Sequence, residues 1–178
     1  MTTQTLNPRE IQTLLRKLVR GLTQRFTRWD DVVFIGIRSG GEYIARHLVR
    51  LLEAKTGASL PLGVLDIALY RDDLSKRLYP EVRPTEIPFD VSNKIVILVD
   101  DVINTGRTVR AAIEHIIDLG RPRRIYLLTL FDRGGRELPI QPDFVGRVVG
   151  LTPDKVLKIL IPEDETALGE VLISEVKR

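Results

Sequence analysis

Apolar residues along this chain recur at two periods, and the alternation between them lays out the elements. Ile11, Leu14, Leu15, Leu18, Val19, Leu22 and Phe26 fall at three- and four-residue spacing. That spacing predicts an amphipathic helix with Arg16, Lys17, Arg20 and Arg25 on its polar side. Asn7, Pro8, Arg9 and Glu10 mark its start: a capping residue, a proline at the first helical position and a glutamate three places after the cap. The pattern then predicts a short buried strand at 32–37, a second amphipathic helix at 44–52 and a strand over 62–70. Residues 95–99 are continuously aliphatic, as in a strand covered on both faces of a parallel sheet. Val109, Ala112, Ile113, Ile116 and Ile117 return to helical spacing. A strand at 125–131 follows the basic turn Gly120, Arg121, Pro122, Arg123 and Arg124, and further β-like runs lie at 144–151, 156–161 and 171–176. Between 71 and 90 there are many charges and the prolines Pro80, Pro84 and Pro88, with no period. A long flexible loop is expected there, and loops of that length in compact domains tend to be functional. The order of elements predicts one α/β domain over 1–178, built on a doubly wound, mainly parallel sheet.

Composition narrows the chemistry. At 178 residues and 43% hydrophobic, the chain can bury one sizeable core. With no cysteine, there is no disulfide framework, thiolate metal site or cysteine nucleophile. His47 and His115, the two histidines, lie in helical patterns, which gives a serine–histidine triad little support. No apolar run reaches the roughly 18 residues of a membrane span, and no leader pattern opens the chain, so a cytoplasmic protein is expected. The net charge of +3 decides nothing. The 20 arginines against 7 lysines suit bidentate phosphate contacts and equally suit a compositional bias of the genome.

The aliphatic run at 95–99 is followed by Asp100 and Asp101, and then by Val102, Asn104, Thr105, Gly106, Arg107 and Thr108, which open onto the next helix. Open α/β sheets place ligands at the carboxyl ends of their strands, where a helix start offers unpaired N–H groups and a positive dipole end. Paired carboxylates would repel a phosphate, so they call for hydroxyls or a cation. A phosphorylated sugar satisfies both halves. A Thr-Gly pair alone is an ordinary way to begin a helix; the specificity lies in the whole run. Arg38, Ser39, Gly40 and Gly41 leave the first predicted strand in the same sense and form a candidate second anion loop.

That run, four or more hydrophobics, two acidic residues and then Thr-Gly-Arg-Thr, resembles the signature of type I phosphoribosyltransferases. The segments at 69–76, 99–108, 119–122 and 132–140 are together similar to the bacterial pyrimidine-operon regulators within that family, over about residues 7–150. The resemblance implies a type I phosphoribosyltransferase fold with a small hood, at about 132–142 and the C-terminal strands, and a flexible loop at about 71–90. It implies an enzyme that converts uracil and phosphoribosyl pyrophosphate (PRPP) to UMP and diphosphate, and a transcription attenuator that binds pyr operon leader RNA in response to UMP or UTP. The alternatives are an RNA-binding regulator with weak or lost catalysis, and a transferase for a purine base without an RNA role. By resemblance, the catalytic candidates are Asp100, Asp101 and Arg71: the two carboxylates hold the ribose and the loop of Arg71 faces pyrophosphate. Thr105, Gly106, Arg107 and Thr108 hold the 5′-phosphate, with Val102 and Asn104 also among the substrate-binding residues. Arg38, Ser39, Gly40 and Gly41 face pyrophosphate, and Arg136, Pro139 and Ile140 present backbone to the base. Magnesium comes in on PRPP, with no direct protein ligand. Arg16, Lys17, Arg20, Arg133 and Arg136 are the RNA-face candidates, and a homodimer or higher homo-oligomer is implied. Gly40, Asn104 and Gly135 depart from the pattern, standing where many members have Arg, Tyr and His.

Overall fold

The computed structural model describes residues 4–70, 83–152, 155–164 and 166–175. The first helix, α1, is Pro8–Arg25, with Asn7 as its cap. The Asn7 side chain accepts from the N–H groups of Arg9 (3.0 Å) and Glu10 (3.2 Å), while Glu10 accepts from the Asn7 N–H (3.0 Å). This closed box satisfies donors that a helix start otherwise leaves orphaned. The predicted apolar stripe is its buried face.

Five parallel strands form the main sheet: β2 (Val32–Ile37), β3 (Leu62–Leu65), β4 (Ile95–Ile103), β5 (Arg124–Asp132) and β6 (Phe144–Val148), in the order β3-β2-β4-β5-β6. Helix α2 (Gly40–Thr56) links β2 to β3, and α3 (Arg107–Leu119) links β4 to β5. Alternate residues of the central strands serve two separate cores. Phe34, Ile97, Val99 and Leu128 pack with α1 and α2, whereas Val33, Ile35, Val96 and Leu98 pack with Val109, Ala112 and Ile116 of α3. The sheet is therefore buried on both faces, which is why its strands read as unbroken aliphatic runs.

A second sheet joins the two ends of the chain: β1 (Gln4–Leu6), β8 (Glu170–Glu175) and β7 (Lys155–Leu160) run antiparallel in the order β1-β8-β7. Leu6, Leu157, Ile159, Val171 and Ile173 fix it onto the core of α1 and α2.

The differences from the expected elements nearest the cleft are these. β4 does not stop at Val99 but continues to Ile103, because Asp100, Val102 and Ile103 keep pairing with Thr129, Phe131 and Asp132. The acidic pair thus lies within the strand's last turns of pleat. The strand expected over 62–70 ends at Leu65, where the Asp66 carboxylate accepts the Ala68 N–H (2.7 Å) and starts a 3₁₀ turn at Ala68–Tyr70. Part of the expected loop, 71–82, lies outside the described residues. Residues 83–90 are not wholly irregular: Glu86 exchanges two 2.8 Å backbone hydrogen bonds with Val64.

Candidate active site

In the order β3-β2-β4-β5-β6, the chain leaves β2 for one face of the sheet and leaves β4 for the other. Between the carboxyl ends of these neighbours a crevice opens, at the point where such sheets bind ligands. A cleft of about 600 Å³ occupies it. Arg38, Ser39 and Gly40 form one wall and Asp100, Asp101, Val102 and Thr108 the floor. Asp66, Ala68 and Arg83 close one side, and Leu157, Lys158, Ile159 and Ile161 from the small sheet stand over the other.

Close packing of the first loop against β4 explains its glycines. A Cβ on Gly40 would fall on the Asp101 carboxylate, and one on Gly41 would meet the Val99 carbonyl oxygen and approach Asp100 Cα to 3.0 Å. Both helices that start at the cleft begin without a side-chain cap. Ser39 precedes α2 and makes no capping bond, and Gly106, at φ +91°, precedes α3 and has no side chain to offer. Gly40 of α2 and Thr108 of α3 line the cleft, so the positive ends of both helix dipoles lie beside it, although the Arg107 N–H is donated to the Thr105 hydroxyl (3.3 Å).

The carboxylates are held by their own strand. Asp100 accepts the Asp101 N–H (2.9 Å) and Asp101 the Val102 N–H (2.8 Å). Asp100 is 5% exposed. Burial, reinforced by the neighbouring Asp101 charge, pushes its carboxyl well above the usual carboxylate range, and burial raises Asp101 as well. Ionising the pair is therefore costlier than for free carboxyls, and hydroxyl donors or a cation would offset that cost.

The remaining candidates are placed unevenly. Thr105 and Arg107 are braced from the 132–140 segment: the Thr105 carbonyl accepts the N–H groups of Glu137 (3.0 Å) and Leu138 (3.2 Å), and Arg107 pairs with Glu137 (2.6 Å). Asn104 is exposed at the rim of that loop. Arg136, Pro139 and Ile140 are not among the cleft's lining. Arg136 turns inward, donating to the carbonyls of Ile140 (2.8 Å) and Asn104 (3.0 Å) and pairing with Asp132 (2.7 Å). Its charge braces the loop. Arg133 donates to the Lys155 carbonyl (2.9 Å). Arg71 lies outside the described residues.

On α1, Arg16 and Arg20 are exposed and flank a recess with Lys55, while Lys17 reaches the Gly146 carbonyl (2.7 Å). The structure adds residues that the sequence did not single out. Asp66 holds both Ala68 N–H and, through its other oxygen, Arg83 N–H (2.9 Å); its place before a turn is the one local signal for it. Lys158 reaches the cleft only through the small sheet. Farther away, Arg25 and Arg124 both donate to the Tyr126 hydroxyl (2.8 and 3.1 Å). Among the described residues neither forms an ion pair with a carboxylate.

Comparison with known proteins defines the class first: the phosphoribosyl transferase domain matches residues 2–154, and the chain belongs to that family. Its similar relatives narrow this further. A protein of Thermus aquaticus is 45% identical over 159 residues, covering 89% of this chain and 88% of the relative. One of Chloroflexus aurantiacus is 44% identical over 171 residues, covering 96% and 93%. Both carry the name Bifunctional protein PyrR. Among solved structures, a hypoxanthine-guanine phosphoribosyltransferase from Bacillus anthracis superposes with a TM-score of 0.71 at 18% identity, covering 99% of this chain and 100% of that one; this is a likeness of fold.

Proposed function

We propose that the chain transfers the phosphoribosyl group of PRPP to uracil, giving UMP and diphosphate. The observation that carries this reading is a single cleft in which two uncapped helix starts flank a buried acidic pair. In this assignment Asp100 and Asp101 accept hydrogen bonds from the ribose 2′- and 3′-hydroxyls. Thr105, Gly106, Arg107 and Thr108 hold the 5′-phosphate, and Arg38, Ser39, Gly40 and Gly41 face the pyrophosphate. The 132–140 segment and the small sheet cover the base, Pro139 and Ile140 through their backbone. N1 of uracil bonds to C1′ as the C1′–O bond to diphosphate breaks with its electron pair, and the N1 proton is released. The protein's part is to align the partners and to set fixed dipoles around the separating charges.

Magnesium suits this site as a passenger of PRPP. Among the described residues no group of three or more His, Cys, Asp and Glu is arranged to hold a metal, whereas the acidic pair gains from a nearby cation. When bound, the ion would neutralise pyrophosphate oxygens and favour their departure.

The same chain is proposed as a cytoplasmic regulator that binds pyr operon leader RNA in response to UMP or UTP. The name of the relatives, bifunctional, supports a second activity. Arg16 and Arg20, exposed on one side of α1, and the Arg25–Tyr126–Arg124 cluster supply cations for a phosphate backbone. Exposed apolar side chains at Leu69, Ile117 and Val148 suit burial in a homodimer or higher assembly. The membrane is not implicated by any helix: among the described residues none is long and apolar enough to cross one. The test is UMP formation from uracil and PRPP, run beside binding of the leader hairpin with and without UMP. Absence of UMP formation would overturn the first activity. Equal binding of cognate and scrambled hairpins would overturn the second.

A further inference from the structure

The cleft has one wall from the main domain and one from the small sheet, and a buried phenol joins them. Tyr43 sits in the first turn of α2, three residues after Gly40 on the cleft's rim, and is 3% exposed. Its hydroxyl donates to the Ala167 carbonyl (2.6 Å) and accepts from the Gly169 N–H (2.8 Å). Both partners lie in the turn between β7 and β8. That turn is tight: a Cβ on Gly169 would overlap the carbonyl oxygen of Leu160, the last residue of β7. Fixing the turn therefore fixes the end of β7, where Ile159 and Ile161 line the cleft. The opposite end of β7 is fixed separately, by Arg133 on the Lys155 carbonyl. The ring of Tyr43 already belongs to the core with Ile44 and Leu48 and meets His47 edge-on at 4.7 Å. Packing alone needs no hydroxyl. The hydroxyl is used to hold two backbone groups of the covering sheet at a set height above the helix that begins at the cleft.

We infer that Tyr43 is a positioning residue for the acceptor base: through its hydroxyl it sets the spacing between the covering sheet and the ribose-phosphate floor. This rests on the phosphoribosyltransferase reading of the cleft. Ile161, which is exposed, and the edges of the buried Leu157 and Ile159 give the cleft an apolar border on the covering sheet, while the loops assigned to PRPP belong to the main sheet and the Tyr43 hydroxyl bonds to the turn between β7 and β8. Loss of the hydroxyl should therefore separate the two substrates.

The test is Tyr43→Phe, which keeps the ring in the core. The expected result is a rise of about tenfold in KM for uracil, the size of two modest hydrogen bonds to backbone, with KM for PRPP within twofold. Hydrogen exchange should quicken over 161–164 and 166–169 and stay unchanged in α1. An unchanged uracil KM overturns the inference, as does a parallel rise in both KM values together with a lowered melting temperature, which is the mark of a purely structural role. If the wild-type chain bound PRPP but formed no UMP, the uracil reading itself would fail. The inference would then be decided by calorimetry of UMP and GMP, whichever the wild type binds: the phenylalanine variant must lose that affinity and keep its affinity for PRPP, and failing to do so overturns it.

Discussion

The start of α1 and the starts of α2 and α3 solve the same physical problem in opposite ways. At α1 the orphaned N–H groups are satisfied within the chain, by Asn7 and Glu10. At α2 and α3 the residues in the capping position offer nothing, one because Ser39 makes no capping bond and the other because Gly106 has no side chain. The closed start contributes stability and faces no cleft. The open starts forgo that stability and meet in a cleft beside two buried carboxylates. In the proposed assignment, ligand phosphates take the place of the caps that these two starts lack.

The comparison can be broken most directly at the acidic pair. Asp100→Asn with Asp101→Asn should weaken PRPP binding by about 100-fold, since charge-assisted hydrogen bonds to the sugar are lost while the fold stays intact. Calorimetry showing unchanged affinity would remove the ribose assignment. Next in size is Gly40→Ala, whose new methyl would displace the Asp101 carboxylate. An affinity loss of about tenfold is expected, with little change in stability, because a rotatable side chain yields more cheaply than backbone. Asn7→Ala should do the reverse: about 1 kcal/mol of stability lost in denaturant unfolding, with both KM values within twofold. A kinetic defect in that variant would erase the distinction between closed and open starts.

A smaller effect concerns pH. Because the Asp100 carboxyl is raised above its ordinary value near 3.8, the native chain binds more protons than the unfolded one as pH climbs from there. The stability this group contributes is full below that value and is lost as pH rises through its raised one. The single change Asp100→Asn should flatten this decline in the ligand-free chain and leave it more stable at neutral pH than the wild type. A steeper decline would place the origin elsewhere.

What could be read from the sequence was local or governed by strand order. The capping box and stripe of α1 were legible because every partner lies within a few residues. The two loops of the cleft were legible because each follows an aliphatic run, and an open sheet gathers such ends at one edge. The extension of β4 was not, because pairing with β5 keeps Asp100 and Val102 in the ladder although an acidic pair signals a strand's end. β1 was missed because its strand character comes only from β8, with Gln4 set against Ile173. Nor does a sequence tell which way an arginine turns: Arg136 pairs inside its own loop, while Arg25 and Arg124 converge on Tyr126 from distant segments.

The small sheet carries one more consequence, for the order in which the molecule is made. Its central strand, β8, is the last element of the described chain and its partner β1 the first, so neither of its ladders can close until β8 has left the ribosome. The main sheet needs nothing beyond β6, and long-range pairing is entropically late. Folding therefore favours closing the main sheet, with the two loops of the cleft, ahead of the small sheet that stands over it, because the small sheet must bring the first and last strands of the described chain together.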